Sequence, residues 1–216
     1  MTCPEIINPN RQQRRVALSR YSLLHPEGRQ LISGWFQRAW RERNCQQDEA
    51  FEPFIFAWFA FNGWAACVTD TDRDRDIIDA LAADQTINND FAQAIQNNQS
   101  VSASVGFFSE LLPIFDVKSL RRRGILRNIR ENRQEQVAYY LSHGANQFEP
   151  RCWQRHHDAG VTMPADWGHI LNAIYKVRCN LFHGLKAAHS EMDQKIVHSA
   201  YLALVTFLAE TGYLHA

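Results

Sequence analysis

One stretch of the chain, residues 49–68, is apolar on almost every side. In helical projection its apolar side chains cover nearly all faces: Phe51, Phe54, Ile55, Trp58, Phe59, Phe61, Trp64, Ala65 and Ala66. A helix of this kind is buried all round, since a surface helix keeps one polar face. The segment therefore predicts a central helix that other helices must surround. Its longest apolar run, residues 54–61, is shorter than the roughly 20 residues that a membrane-spanning helix needs.

The segments around this helix show the periodicity of helices that bury one face. In residues 26–43 apolar side chains recur at intervals of three and four residues. The same spacing predicts further helices at 86–98, 134–142, 164–183 and 190–213. No segment alternates apolar and polar residues at length, and the chain has no phosphate-binding glycine loop and no nucleophile elbow. The sequence therefore predicts an all-α protein.

The composition fits one domain with a substantial core. The chain has 216 residues, of which 45% are hydrophobic, and its formal net charge is zero, so the overall charge indicates no particular partner. Its five cysteines are odd in number and widely spaced, and its first residues are polar rather than apolar as in a secretion signal. We therefore expect a reduced, cytoplasmic setting and no membrane association.

Residues 164–184 predict an amphipathic helix with an unusual arginine. Pro164 and Asp166 favour a helix start, and Gly184 favours a stop. Two apolar stripes run side by side in projection: Ile170, Ile174, Val177 and Leu181, then Leu171, Tyr175 and Phe182. Arg178 falls between the two stripes. The other side carries four polar residues: His169, Lys176, Asn180 and His183.

A cation within an apolar arc needs a partner, because an uncompensated buried charge is strongly destabilising. We expect Arg178 to meet a carboxylate, a backbone carbonyl, a second subunit or an anionic ligand. A simpler interpretation stays open. Cations are favoured in the last turn of any helix, and arginine can bury its stem while its charged head remains in water.

The end of this segment resembles a known motif. Arg178, four further residues and then His183, followed by Gly184 at the end of the penultimate helix, are similar to the R-x4-H motif of the HEPN family. The resemblance covers residues 164–213. It extends more weakly to residues 51–66, which look like an earlier core helix of that family.

Two positions depart from the family pattern. A polar residue often follows the arginine, whereas Cys179 stands there and Asn180 comes one position later. Relatives paired with a nucleotidyltransferase antitoxin carry a tyrosine two residues after the histidine, where this chain has Leu185. The second departure argues against modification of that kind.

The resemblance implies an antiparallel helical bundle that cleaves RNA. Its core would be residues 26–68 and 164–213 of a single domain, with additional helices inserted at 69–163. Many HEPN proteins are metal-independent endoribonucleases of toxin and antiviral-defence systems, in which a ribose 2′-hydroxyl attacks the adjacent phosphate. The resemblance therefore implies RNA as substrate, no cofactor, a homodimer with two facing motifs, and an antitoxin or defence-system protein as a further partner.

Three residues of the motif would be catalytic. His183 would exchange protons, as imidazole does near neutral pH. Arg178 would bind the charge that develops on the phosphate, because its planar fork matches phosphate oxygens. Asn180 would orient the imidazole or bind phosphate. Asn62, which also falls within an apolar face, would share a polar pocket with Arg178 or hydrogen-bond a neighbouring backbone group.

Residues 117–133 carry the strongest local charge. The only acidic residue among them is Glu131. The basic residues are Lys118, Arg121, Arg122, Arg123, Arg127, Arg130 and Arg133. Such a patch attracts polyanions. We predict that RNA contacts Arg121, Arg122, Arg123, Arg127 and, on the helix of the motif, Lys176. A solvated charged face is the alternative.

Two other functions stay open. The domain could bind RNA, nucleotide or protein without cleaving anything, in which case His183 is only a helix-end residue. A different helical enzyme could hold a metal through Cys152 and His156. Structural zinc wants four ligands, however, and no second pair follows at ligand spacing.

Overall fold

The computed structural model describes residues 15–126, 132–183 and 190–214. These parts of the chain form eleven α-helices and one two-stranded ribbon. The helices are α1 (Arg20–Leu23), α2 (Pro26–Arg41), α3 (Phe51–Thr69), α4 (Asp74–Ala83), α5 (Gln85–Asn97), α6 (Gln99–Ser109), α7 (Val117–Arg122), α8 (Arg133–Ser142), α9 (Trp153–Asp158), α10 (Trp167–Phe182) and α11 (Glu191–Thr211). The strands β1 (Ile114–Phe115) and β2 (Phe148–Glu149) pair antiparallel. The all-α class is confirmed; Arg127, Gly184 and Leu185 lie outside the described residues.

Short polar side chains set where several helices begin. Asp84 ends α4 and caps α5 by accepting a hydrogen bond from the Ile87 N–H at 3.0 Å. Asn98 ends α5 and caps α6 through the N–H groups of Ser100 and Val101. Because one residue ends a helix and starts the next, α4, α5 and α6 follow one another without a loop.

α3 is the central helix, as its composition predicted. It packs against α1, α2, α4 and α11, and Trp58, Phe61 and Trp64 are almost completely buried. Within the described ranges it is also the one helix long and apolar enough to cross a membrane, and half of its most apolar 18-residue window is buried inside the protein. Its place in the core accounts for its apolar composition. One position departs from the prediction, because Phe59 is 40% exposed.

The apolar side chains form two separate clusters. The main core draws on α1 to α6, α10 and α11. A smaller cluster, here called the satellite core, consists of Phe115, Leu120, Val137, Tyr140, Ala145 and Phe148. The predicted insertion at 69–163 is therefore divided. Its helices α4, α5 and α6 complete the main core, and the part around α7, α8 and the ribbon builds a core of its own.

α10 is buried on more sides than its sequence predicted. Besides α4, α5 and α11, it packs against both strands of the ribbon. The ribbon and the residues after it cover the side that projection had left polar, so His169 and Asn180 are buried there. The predicted polar side is wrong for these two residues. The spacing of apolar residues in one helix does not show which other helices or strands will pack against its polar side.

Candidate RNA-binding and catalytic site

Arg178 meets a carboxylate of the same chain. Its Nη1 lies 2.9 Å from Oδ2 of Asp74, the first residue of α4, and the Arg178 side chain is 21% exposed. The guanidinium also lies over two aromatic rings, 4.8 Å from the centroid of Phe182 and 5.6 Å from that of Trp58. Its Nε is buried without a hydrogen-bond partner in the described part of the chain. The expected partner is thus present, and part of the guanidinium still lacks one.

His183 lies at the C-terminal end of α10 with its side chain exposed. Its backbone N–H donates to the Cys179 carbonyl at 3.2 Å, so the main chain is fixed and the ring is open to solvent. His183 lies five positions after Arg178. On a regular helix this spacing corresponds to about 140° around the axis and about 7.5 Å along it. In that regular geometry the two side chains leave the helix in different directions.

Asn180 does not face the other two residues of the motif. Its Oδ1 accepts a hydrogen bond from the Val117 N–H at 3.2 Å, and its Nδ2 donates to the Phe115 carbonyl at 2.8 Å. The side chain is buried. Asn180 thus fastens the end of β1 and the start of α7 to α10. To orient the His183 ring or to bind phosphate, it would have to use its second N–H or leave its buried position.

Lys176 is held by an acidic partner. Its Nζ lies 2.9 Å from Oδ2 of Asp116, and the other oxygen of Asp116 caps α7 by accepting the Ser119 N–H at 2.8 Å. Burial raises the pKa of the Asp116 carboxyl, but the hydrogen bonds from Lys176 and Ser119 outweigh it, so that the pKa falls below its usual value. The charge of Lys176 is therefore largely matched within the protein.

The basic stretch is divided between solvent and structure. Arg121 and Arg122 are exposed in the last turn of α7. Arg123 is exposed as well, but its guanidinium donates to the Gly144 carbonyl at 2.7 Å and to the Asn146 side chain at 3.1 Å. Arg121 and Arg122 are thus the most available of the predicted RNA contacts.

Arg133 does not belong to this basic surface. Its guanidinium donates to the carbonyls of Leu111 and Pro113 and to the Gln136 side chain. It also lies 5.7 Å from the centroid of the Phe115 ring. Burial lowers the pKa of this guanidinium to about 10. The prediction that Arg133 adds to a solvent-facing patch is therefore wrong.

A row of aromatic side chains leads from α2 across α3 to the end of α10. We call it the aromatic strip, and it consists of Trp35, Phe56, Phe59 and Phe182. Trp35 stacks on Phe56 with ring centroids 5.3 Å apart, and Phe59 meets Trp35 and Phe182 edge-on at 5.6 and 6.3 Å. Phe59 and Phe182 are 40% and 42% exposed. The apolar pattern of the sequence places both rings on buried faces, so this surface is not predicted from it.

Asn62 lies one turn after Trp58, the residue through which α3 reaches Arg178. It is half-buried. No hydrogen bond joins it to Arg178 among the described residues, so the shared polar pocket stays a prediction.

The remaining candidate concerned metal. Over the described ranges, no group of three or more histidine, cysteine, aspartate or glutamate side chains could hold a metal ion. Cys152 instead contacts His169. Comparisons of the chain with protein-family models, with curated proteins and with solved structures return no match. What this site does must therefore be inferred from its own residues.

Proposed function

We propose that this protein is a metal-independent endoribonuclease of HEPN type that acts in the cytoplasm as a toxin or antiviral-defence effector. Arg178 and His183 would be its catalytic residues, in a cleft between two copies of the chain. One observation carries the proposal. An arginine held against aromatic rings and an open histidine lie five residues apart at the end of one helix, with the spacing of the R-x4-H motif.

The proposed reaction is an internal transesterification of RNA. The ribose 2′-oxygen attacks the adjacent phosphorus, and the bond from phosphorus to the 5′-oxygen breaks. The products are a 2′,3′-cyclic phosphate and a 5′-hydroxyl. The attacking hydroxyl must lose a proton and the leaving oxygen must gain one. Imidazole can act as the general base for the first transfer and as the general acid for the second. Arg178 would stabilise the charge on the phosphorane, because its fork binds two phosphate oxygens at once.

Helix geometry favours two copies over one. One imidazole cannot serve as acid and base in the same step, and His183 points away from Arg178 by about 140° on a regular helix. A second copy would supply a second His183 and would place the residues of one chain opposite those of the other. The exposed rings of Phe59 and Phe182 lie beside the motif and could contribute to such a contact.

For Arg178 to bind a substrate phosphate, its ion pair with Asp74 must be shared or broken. The carboxylate matches the arginine charge in the free protein. It also lies in the first turn of α4, where the positive end of the helix stabilises a carboxylate without help from Arg178. An RNA phosphate could therefore share or replace this contact at moderate cost. Arg121 and Arg122, which lie on the α7 that Asn180 fastens to α10, would draw the strand toward the site.

A second function is favoured by the same ion pair. If Asp74 is the permanent partner of Arg178, and Asn180 only fastens the ribbon, two residues of the motif are explained by folding alone. The domain would then be a non-catalytic module that binds RNA, nucleotide or a partner protein. His183→Ala would leave that binding unchanged.

The two functions are separated by RNA cleavage in EDTA with analysis of the new ends. Wild type is compared with His183→Ala and Arg178→Ala. His157→Ala and Arg41→Ala serve as controls, since these side chains are exposed and lie outside the motif. The ribonuclease predicts cyclic phosphate ends in wild type and in both controls, and loss of cleavage in both motif variants. Intact RNA with wild type across several substrates, with binding retained, would support the binding module.

A further inference from the structure

Three side chains form a line of contacts at the N-terminal end of α10. The Cys152 Sγ lies 2.9 Å from Nε2 of His169. The other ring nitrogen, Nδ1, lies 2.8 Å from Oδ1 of Asp166. Cys152 is 1% exposed and His169 is fully buried, whereas the Asp166 side chain is 28% exposed. The line therefore runs from a carboxylate at the surface to a thiol beneath it.

The Asp166 carboxylate favours the protonated form of the ring. The same Asp166 oxygen accepts the backbone N–H of His169 at 3.0 Å as the cap of α10, so its contact with Nδ1 is an ion pair rather than an aligned hydrogen bond. Burial alone would favour the neutral ring. The Asp166 carboxylate and the Cys152 sulfur outweigh it and raise the pKa of His169 to about 10. A protonated ring directs its Nε2–H at the sulfur.

We propose that Cys152 is a nucleophilic thiolate, held by His169 and Asp166, whose substrate is a small hydroperoxide such as hydrogen peroxide. The arrangement of nucleophile, imidazole and orienting carboxylate is the one that activates cysteine in enzymes. The thiolate is the reactive form of cysteine, and a neighbouring imidazolium stabilises it. This proposal stands independently of the ribonuclease.

Burial selects the substrate. Cys152 is buried, whereas the residues at 151 and 153–162 are exposed except for Trp153 and His156, which are half-buried. The sulfur itself belongs to the main core, so the folded protein offers no open cleft to it. Hydrogen peroxide is uncharged and close to water in size, so a small local opening admits it. A peptide or an acyl ester would need a cleft.

The reaction balances within the three side chains and the peroxide. The thiolate attacks one oxygen, a sulfur–oxygen bond forms and the oxygen–oxygen bond breaks. The departing hydroxide takes the proton from His169 and leaves as water. Sulfur loses two electrons, the peroxide gains them, and the products are a sulfenic acid at Cys152 and a neutral imidazole.

The test is the rate at which each cysteine of the wild-type protein is oxidised. The protein is treated with hydrogen peroxide, the sulfenic acid is trapped with dimedone, and peptides are mapped by mass spectrometry. Cys45, Cys67 and Cys179 are internal controls, because each is more exposed than Cys152. We expect the Cys152 adduct to form about tenfold faster than any of these, since the imidazole of His169 contacts the sulfur and stabilises negative charge that develops there. If Cys152 reacts slowest of the four, as its burial alone requires, the proposal is overturned.

Asp166→Asn tests the role of the carboxylate separately. Asparagine caps a helix as well as aspartate does, so α10 keeps its start while the negative charge is lost. The adduct at Cys152 should then form several-fold more slowly, while the rates at Cys45, Cys67 and Cys179 stay unchanged. Circular dichroism of both proteins checks that the fold is retained. An unchanged Cys152 rate in the folded variant would remove Asp166 and His169 from the proposal.

Discussion

The two ends of α10 hold histidines in opposite surroundings. At the N-terminal end, His169 is fully buried between a cysteine and an aspartate. At the C-terminal end, His183 is exposed beside the aromatic strip. One helix thus carries a histidine whose two ring contacts lie inside the protein and another whose ring faces solvent. Under the two proposals, the first histidine acts on a small molecule that enters the core, and the second acts on RNA at the surface.

The difference shows what a local motif can reveal. The C-terminal end is visible in the sequence, because Arg178 and His183 lie within one short segment. The N-terminal end is not, since Cys152 and His169 are 17 positions apart and are separated by α9 and the loop that follows it. Substitutions at the exposed end should therefore affect RNA and leave stability intact. Substitutions at buried polar positions should affect stability first.

The largest expected effect is on cleavage. Under the proposed function, His183→Ala removes the group that transfers protons and should lower the rate by about 10²- to 10⁴-fold. Because the side chain is exposed, the free energy of unfolding should stay within about 0.5 kcal/mol of wild type. Cleavage of labelled RNA and urea unfolding measure the two quantities. A clear loss of stability with cleavage intact would assign His183 to the fold and break the contrast between the ends.

The next effect is on stability, at Asn180. Asn180→Ala leaves the Phe115 carbonyl and the Val117 N–H buried without partners, which should lower the free energy of unfolding by about 2–4 kcal/mol. Urea unfolding measures it, with Asn62→Ala as a control at a half-buried asparagine of α3. Lost cleavage with unchanged stability would instead place Asn180 among the catalytic residues.

A smaller change is expected in RNA affinity at Asp74. Asp74→Asn frees Arg178 from its ion pair and should tighten RNA binding about tenfold, with the salt dependence steeper by about one released ion. Fluorescence anisotropy at several salt concentrations measures both. Asp72→Asn makes the same charge change at an exposed neighbour. Equal effects of the two variants would mean that net charge matters and the Arg178 pair does not.

The smallest effect concerns the pair of Lys176 and Asp116. The pKa of Asp116 is lowered in the folded protein, so its stabilisation is present above the unfolded value of about 3.9 and is lost as the pH falls through the folded value. Asp116→Asn keeps the cap of α7 and removes the charge. Wild type should be more stable by up to about 1 kcal/mol at pH 7, with a smaller difference at pH 3. Thermal unfolding at both values tests this, and a constant difference would exclude the ion pair as its source.

The helices were predictable because their signals are local. Periodicity and capping residues placed α2, α3, α5, α8, α10 and α11 within a few residues of their observed ends. The partners of buried charges were not predictable. Arg178 pairs with Asp74, more than a hundred positions earlier. Arg133 follows α7 in the chain and donates to the carbonyls of Leu111 and Pro113, which precede α7. The sequence showed that Arg178 needed a partner, but identifying that partner requires the packing of α4 on α10.

The aromatic strip was missed for a related reason. Its rings come from three helices, and each helix alone has an ordinary apolar face. Which rings remain exposed depends on how far the neighbouring helices extend over them, and this is known only once the helices are packed. Phe59 could therefore not be distinguished from Phe61 by pattern alone, although one is 40% exposed and the other is fully buried.

We expect the satellite core to open as a unit separate from the main core. Its six buried side chains are few beside those of the main core, and Asn180 and Arg133 tie it to the rest of the chain through a handful of hydrogen bonds. Units of this size open well below the free energy of global unfolding. Amide hydrogen exchange should therefore be faster in α7 and α8 than in α3. Arg121 and Arg122 can then change position while the helix that carries Arg178 and His183 stays folded.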